Sequence, residues 1–433
     1  MAPQSGKGLS ELWARLRFVL VAIIVYRIGT HIPVPGINPD RLQDLFQSSQ
    51  GTLVELFNVF SGGSLERMSI LALNVIPYIS ASIIMQLLSA VSPRLSRLRK
   101  EGEAGRRVIT QYTRYGTLGL ATLQSAGLAA GLASQGLAIE AGISFHITAI
   151  LAMVTGTMFL MWLGEQITEK GIGNGISLII FVSIVSGLPS AIGQSLEQAR
   201  QGELSPILLL GISLMVITVI ALVVFIERGQ RRLTVQYPKR QVGRRQMAAQ
   251  SSHLPLKINM AGVIPAIFAS SLLLFPASLS IWLGEAQDLD WLQQLSLLLQ
   301  PPQPLYIISF TALIVFFSFF YTALVFDPDD VANNLKKQGA YLPGIRPGAR
   351  SAGYIEKIIT RLTVFGAAYV ALVCLLPLVL VQFAGVPFYF GGTSLLIVVV
   401  VAMDIMSQLQ AHMMSYQYES LMRKSNIRGR TRR

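Results

Sequence analysis

The sequence predicts an all-α polytopic membrane protein with ten transmembrane helices, and three observations carry that prediction. Of 433 residues, 52% are hydrophobic before the 37 glycines are counted, and only 13% are charged, against about 25% in soluble domains. A soluble chain this apolar could not cover its own surface, whereas a bilayer solvates apolar side chains without a core. The apolar residues also gather into runs long enough to cross the hydrocarbon, which takes a helix about 20 residues. Finally, the net charge of +13, from 35 Lys and Arg against 22 Asp and Glu, is concentrated between those runs.

In chain order the runs fall near 17–35, 68–91, 115–133, 145–164, 174–193, 205–226, 258–282, 305–326, 362–383 and 388–406. Barrel strands would alternate polar and apolar residues instead. Orientation follows from the basic residues. The N-terminal tail, the loops after spans 2, 4, 6 and 8, and the C-terminal tail hold 31 of the 35 Lys and Arg, while Asp and Glu divide 12 to 10. Both termini are therefore expected in the cytoplasm, which requires an even number of spans. The first run follows Lys7, Arg15 and Arg17 as a signal peptide would. It continues into His31-Ile32-Pro33-Val34-Pro35 without a small-residue cleavage site, so a retained helix is expected. The single cysteine, Cys374, lies in an apolar run and offers neither a disulfide framework nor a cysteine metal site.

The second span is irregular. Phe60-Ser61-Gly62-Gly63-Ser64-Leu65-Glu66-Arg67 precedes an apolar stretch broken by Asn74 and Pro77. Irregular backbone at membrane depth is tolerated only where protein or a water cavity surrounds it. The expectation is a short re-entrant piece around 62–73 and a full helix from about Asn74; an external loop followed by one Pro-kinked helix is the alternative. The seventh span echoes the second. Val75-Ile76-Pro77-Tyr78-Ile79-Ser80-Ala81-Ser82 and Val263-Ile264-Pro265-Ala266-Ile267-Phe268-Ala269-Ser270 share V-I-P-x-I-x-A-S. The two helices run in opposite directions five spans apart, which points to two inverted five-helix halves, 1–200 and 201–433. Interrupted helices at corresponding positions of such halves mark a transport path, here at Ile79 and Ile267.

Ionisable residues within spans mark proton relays and ion sites. They are nearly absent here: Arg27 lies in the outer half of span 1, Glu165 and Asp404 lie near predicted cytoplasmic ends, and no carboxylate falls at a predicted helix middle. This counts against an ion-coupled carrier. A path through such an interior would be narrowest among Val, Ile and Leu, which resist ions by dewetting. Enzyme readings fare worse. His31, His146, His253 and His412 lie on different segments without ligand spacing, and no G-x-x-x-x-G-K-[ST] loop occurs. Gly171-Ile172-Gly173-Asn174-Gly175 resembles a nucleotide loop but follows a membrane span instead of a strand, so it reads as flexibility at a helix entry. No cofactor is expected.

Two cytoplasmic loops are long and basic. Residues 227–257 carry Arg228, Arg231, Arg232, Lys239, Arg240, Arg244, Arg245 and Lys257 against Glu227. Residues 327–361 carry Lys336, Lys337, Arg346, Arg350, Lys357 and Arg361 around Leu342-Pro343-Gly344-Ile345-Arg346-Pro347-Gly348. Positive charge inside explains the sign of these loops. It does not explain their length, since bundle connections are usually about two to eight residues. Docking surfaces for RNA phosphates or an acidic protein face account for both.

These blocks together resemble the SecY family, the central subunits of bacterial protein-conducting channels. The likeness rests on Phe60 to Gly63, Pro77 to Ser82, Glu101-Gly102-Glu103-Ala104-Gly105-Arg106-Arg107 and Trp162-Leu163-Gly164-Glu165-Gln166-Ile167-Thr168. It continues through Gly171 to Ile176, Glu227 to Arg232, His253-Leu254-Pro255-Leu256-Lys257, Gly344 to Gly348, and Phe388-Tyr389-Phe390-Gly391-Gly392-Thr393-Ser394-Leu395-Leu396. The resemblance implies two five-helix halves around a central hourglass pore, with an apolar ring at Val75, Ile79, Ile176, Ile180, Ile267 and Ile397. Val75 departs from the commoner isoleucine. It further implies a plug at Gly62, Gly63, Ser64, Leu65, Glu66, Arg67, Met68 and Ser69, and a lateral gate between spans 2–3 and 7–8. Arg244, Arg245 and Arg346 match positions that engage the ribosome, through its RNA and proteins, or the SecA motor ATPase. SecE and SecG subunits, preproteins with signal sequences and membrane lipid are the other implied partners. The membrane implied is plasma or thylakoid. The expected function is passive passage of unfolded secretory polypeptides with lateral release of transmembrane segments. A small-solute secondary transporter is the rival, and it would need a polar site at the midplane.

Overall fold

Among the described residues, six helices are long and apolar enough to cross a membrane: Ile143–Lys170, Gly175–Arg200, Pro206–Arg228, Pro304–Lys337, Ala349–Pro377 and Gly392–Met414. The computed structural model describes residues 7–38, 41–42, 58–140, 142–202, 205–237, 240–242, 245–247, 250–283, 294, 298–300, 303–384 and 392–430. A seventh span results if Ile76–Val91 and Pro93–Arg99, bent by 103°, count as one broken span. The other expected spans fall short for physical reasons. Lys7–Gly29 carries Arg15, Arg17 and Arg27. Glu103–Ser134 is rich in Gly, Ser, Thr and Gln, the composition of a helix that packs on other helices more than on lipid. The apolar stretch Ile264–Leu274 opens a helix that runs on to Leu283. The chain divides into two compact units, Met1–Pro206 with Ser271–Pro301 and Ile397–Arg433, and Ile207–Ser270 with Pro302–Leu396.

The first unit holds α1 (Lys7–Gly29), α2 (Ile76–Val91), α3 (Pro93–Lys100), α4 (Glu103–Ser134), α5 (Ile143–Lys170) and α6 (Gly175–Arg200). Helix α4 packs on α2, α3 and α5, and α1 packs on α5 and α6. Pro77 sits in the first turn of α2, where its missing N–H is not needed. Ser92, extended ahead of Pro93, ends α2 because a residue before proline avoids the helical region. Helices α4 and α5 are pinned by a bidentate ion pair, Arg114 Nε and Nη2 donating to Glu165 Oε1 and Oε2 at 3.0 and 2.7 Å. The glycine run before α6 is not a flexible entry. Asn174 caps α6 by accepting from Ile176 N and Ser177 N. A Cβ on Gly175 would lie 2.0 Å from Gly164 O, so the residue is glycine because α5 and α6 touch there.

The second unit holds α7 (Pro206–Arg228), α9 (Pro304–Val325), α10 (Pro328–Lys337) and α11 (Ala349–Ala384). Helices α8 (Ile264–Leu283) and α12 (Gly392–Arg430) begin in it and continue in the first. Only Val219 and Val223 of α7 are buried. The all-α expectation needs one correction, for the chain also forms antiparallel strands: β1 (Gln230–Tyr237), β2 (Arg240–Val242), β3 (Arg245–Met247) and β4 (Gln250–Lys257). Strand β1 pairs with β4 from Gln230↔Lys257 to Tyr237↔Gln250, and β2 with β3 from Arg240↔Met247 to Val242↔Arg245. Leu233 and Val235 alternate with exposed Arg232 and Thr234, the pattern of a ribbon with one buried face. Helix α10 is capped by Asp327, which accepts from Asp329 N and Asp330 N. Acids in its first turn and Lys336 and Lys337 in its last suit its dipole.

Candidate functional site

Five of the six ring positions, Val75, Ile79, Ile176, Ile180 and Ile397, lie in the first unit. Val75 and Ile79, one helical turn apart, bracket the start of α2, and both are buried. Ile176 and Ile180 are likewise one turn apart at the start of α6; Ile180 is buried and Ile176 half-buried. Ile176 Cδ1 lies 2.4 Å from where a Cβ on Gly164 would stand, so the small residue on α5 seats it. Ile397, in α12, is fully buried. Ile267, in α8, belongs to the second unit and is buried there.

Residues 62–75, between a short helical stretch at 58–61 and α2, are turns and a bridge with no helix. Gly62, Gly63, Met68 and Asn74 all have positive φ, of 68°, 77°, 41° and 48°; for Met68 that backbone is strained. A Cβ on Gly62 would come within 3.0 Å of Ser183 Cα. The segment is strapped to the stretch that follows α1 by backbone bonds, with Val34 N donating to Met68 O at 2.8 Å and Ile70 N to Ile32 O at 2.9 Å. Ser64 Oγ donates to Ser61 O, Ser69 N to Ser64 O, and Glu66 N to Asn58 Oδ1. Ser64, Leu65, Met68 and Ser69 are buried; Leu65 and Met68 pack among Val34, Leu132, Phe145 and Met153. Glu66 and Arg67 are exposed. Arg67 Nη1 donates to His31 Nε2 at 3.0 Å, so the ring proton sits on Nδ1 and is donated to Arg27 O at 2.8 Å. Gly156 of α5 admits the segment's backbone, since a Cβ there would lie 1.9 Å from Ile70 O.

The two basic loops share one apolar foundation. Leu233, Val235 and Leu256 from the hairpin pack with Ala340 and Leu342 and with Ile355, Ile358 and Ile359 of α11. A two-bond bridge ties them further, Gln236 N donating to Tyr341 O and Tyr341 N to Gln236 O at 2.9 and 3.0 Å. On this base Arg228, Arg231, Arg232, Lys257, Lys336, Lys337, Arg346, Arg350, Lys357 and Arg361 stand exposed. Ser351 Oγ donates to Arg346 O at 3.0 Å, fixing the backbone of the 346–351 turn. Arg245 begins β3, and Arg244 lies outside the described residues.

Sequence reasoning marked Asn74 as a break but missed its partners Tyr26 and Ser183, two polar residues inside apolar runs. Asn74 Nδ2 donates to Phe60 O and to Ser183 Oγ, and Tyr26 Oη bonds Ser183 Oγ. Among the described residues no group of three His, Cys, Asp or Glu could hold a metal ion.

A family model described as SecY matches residues 69–406. The chain is 64% identical over 425 residues to the protein translocase subunit SecY of Pseudomonas aeruginosa, covering 98% of this chain and 96% of that protein. It is 59% identical over 431 residues to that of Escherichia coli K12, covering 98% and 97%. Among solved structures, one described as a protein conducting channel shares the fold at TM-score 0.67 and 19% identity over 94% of this chain and 93% of that one. Sec61 in a canine ribosome–channel complex does so at TM-score 0.63 and 18% identity over the same shares.

Proposed function

The chain belongs to the SecY family and is a multi-pass membrane protein, the channel subunit of a protein translocase and not an enzyme; from that premise we propose how its residues divide the work. Val75, Ile79, Ile176, Ile180, Ile267 and Ile397 form the gasket of a pore between two inverted five-helix halves, 1–200 and 201–433, built from ten spans. Gly62, Gly63, Ser64, Leu65, Glu66, Arg67, Met68 and Ser69 form the stopper that closes it. A signal segment enters between spans 2–3 and 7–8, where its apolar helix exchanges protein contacts for lipid. The halves part, the stopper leaves, and the aliphatic ring yields around an unfolded chain without selecting its side chains. Transmembrane segments leave sideways into lipid. The transporter reading is not favoured, since the relatives are named as protein translocase subunits.

One observation carries the stopper assignment: residues 62–75 are non-helical yet largely buried, with their polar groups tied to neighbouring protein. Such a stretch can sit at membrane depth, because its polar groups need neither water nor lipid. The exposed arginines on the hairpin foundation support a docking role for Arg244, Arg245 and Arg346. The partners proposed are the ribosome, named in the description of a structural neighbour, and the SecA motor. SecE and SecG complete the assembly, both termini face the cytoplasm, and the membrane is plasma or thylakoid. The ring is tested by replacing Ile79, Ile180 and Ile267 together with asparagine in reconstituted translocase. Resting ion conductance across planar bilayers is expected to rise; conductance equal to the wild type would remove the sealing role.

A further inference from the structure

One buried polar cluster belongs neither to the apolar ring nor to the basic platform. Tyr26 of α1, Ser61 and Asn74 flanking the plug, and Ser183 of α6 are each at most 1% exposed. Geometry assigns their hydrogens. Ser183 Oγ donates to Ile179 O at 2.8 Å, the back-bond of a helical serine, so towards its other neighbours it accepts. Asn74 Nδ2 gives one hydrogen to Ser183 Oγ at 3.1 Å and the other to Phe60 O at 2.8 Å. Tyr26 Oη therefore donates to Ser183 Oγ, with Ser61 O a second, longer acceptor at 3.4 Å. Asn74 Oδ1 accepts from Val75 N at 2.8 Å.

We propose that Tyr26, Asn74 and Ser183 are positioning residues that latch the plug shut and thereby set how strong a signal segment must be to open the channel. The inference rests on the plug reading above. Asn74 joins three things through one side chain: the entry of the plug at Phe60, the first ring position at Val75, and α6. Ser183 follows Ile176 and Ile180 at helical spacing, on the same face of α6. Moving the plug and its flanks away from α6 takes Asn74 from Ser183 Oγ and Ser61 O from Tyr26, while the Tyr26–Ser183 bond, between α1 and α6, holds the shared acceptor in place. Asn74 also holds a left-handed backbone, φ 48°, which asparagine tolerates better than most residues.

The test uses reconstituted translocase carrying Tyr26→Phe, Ser183→Ala and the pair together. Each single change is expected to raise the frequency of resting openings about tenfold, what one buried hydrogen bond of ordinary strength is worth. Each should also admit a preprotein with a weakened signal segment that the wild type rejects. The double variant should open no more often than the leakier single one, because both changes break the same bond. Multiplying effects would indicate separate packing defects and overturn the latch, as would wild-type closure in both single variants. Asn74→Gly, which keeps the backbone conformation, attacks the node from the other side and should leak as well. Deleting residues 62–69 separates the two claims. A tight deletion variant refutes the plug reading itself, whereas a leaky one beside tight Tyr26→Phe and Ser183→Ala channels refutes the latch alone.

Discussion

Residues 62–75 and the basic hairpin both interrupt a helical chain, and different forces hold them. In the hairpin's foundation, Leu256 and Ile355 are fully buried beneath a surface of charges in water, where each such side chain contributes about 1.5–3 kcal/mol. If residues 62–75 sit at membrane depth, as proposed, they have no comparable drive, because lipid tails are as apolar as leucine and burial alone changes little there. They are held by closed hydrogen bonds at Val34–Met68 and Ile70–Ile32 and by the close approach that Gly156 allows. Water lets a protein hold an irregular segment with grease; a bilayer requires polar closure and small residues.

Three substitutions test that contrast. The largest effect is expected from Ile355→Ala, which removes a fully buried side chain and should cost the platform about 3 kcal/mol. Hydrogen exchange across 230–257 should quicken while resting conductance stays at the wild-type level; a leak would mean that the two regions are not separately held. Next comes Gly156→Ala, whose Cβ would lie 1.9 Å from Ile70 O. A shift of that backbone costs about 2 kcal/mol and should raise resting conductance without altering exchange in the hairpin; a sealed channel would show that close approach does not seat the plug. Smallest in stability is Arg346→Glu, at an exposed position, expected within about 0.5 kcal/mol of wild type in thermal unfolding. Translocation should nonetheless fall, and undiminished transport would reduce the loop's charge to a topology signal.

The break in the second span was readable because Gly62, Gly63 and Asn74 are residue types that adopt positive φ, and all three do. The segment's strapping was not, since Val34 and Met68 pair through backbone atoms that carry no sequence signature. Tyr26 and Ser183 lie 157 residues apart, and each alone reads as an ordinary polar residue in an apolar run. The hairpin was legible and passed over: Leu233, Val235 and Tyr237 alternate with polar neighbours, as do Leu254 and Leu256, but the arginines drew the reading towards charge. Glycine at 175 was read as suppleness when it serves contact with Gly164, a distinction that needs the facing helix. Glu103–Ser134 is polar for a membrane helix, and it packs on three other helices, which a one-dimensional pattern does not reveal.

The common base of the hairpin and the 340–345 turn has a mechanical consequence. Both are bolted to the first turns of Ala349–Ala384 through Ile355, Ile358 and Ile359. Pressure on either loop would reach the same helix, which runs on to Ala384 with Pro377 inside it.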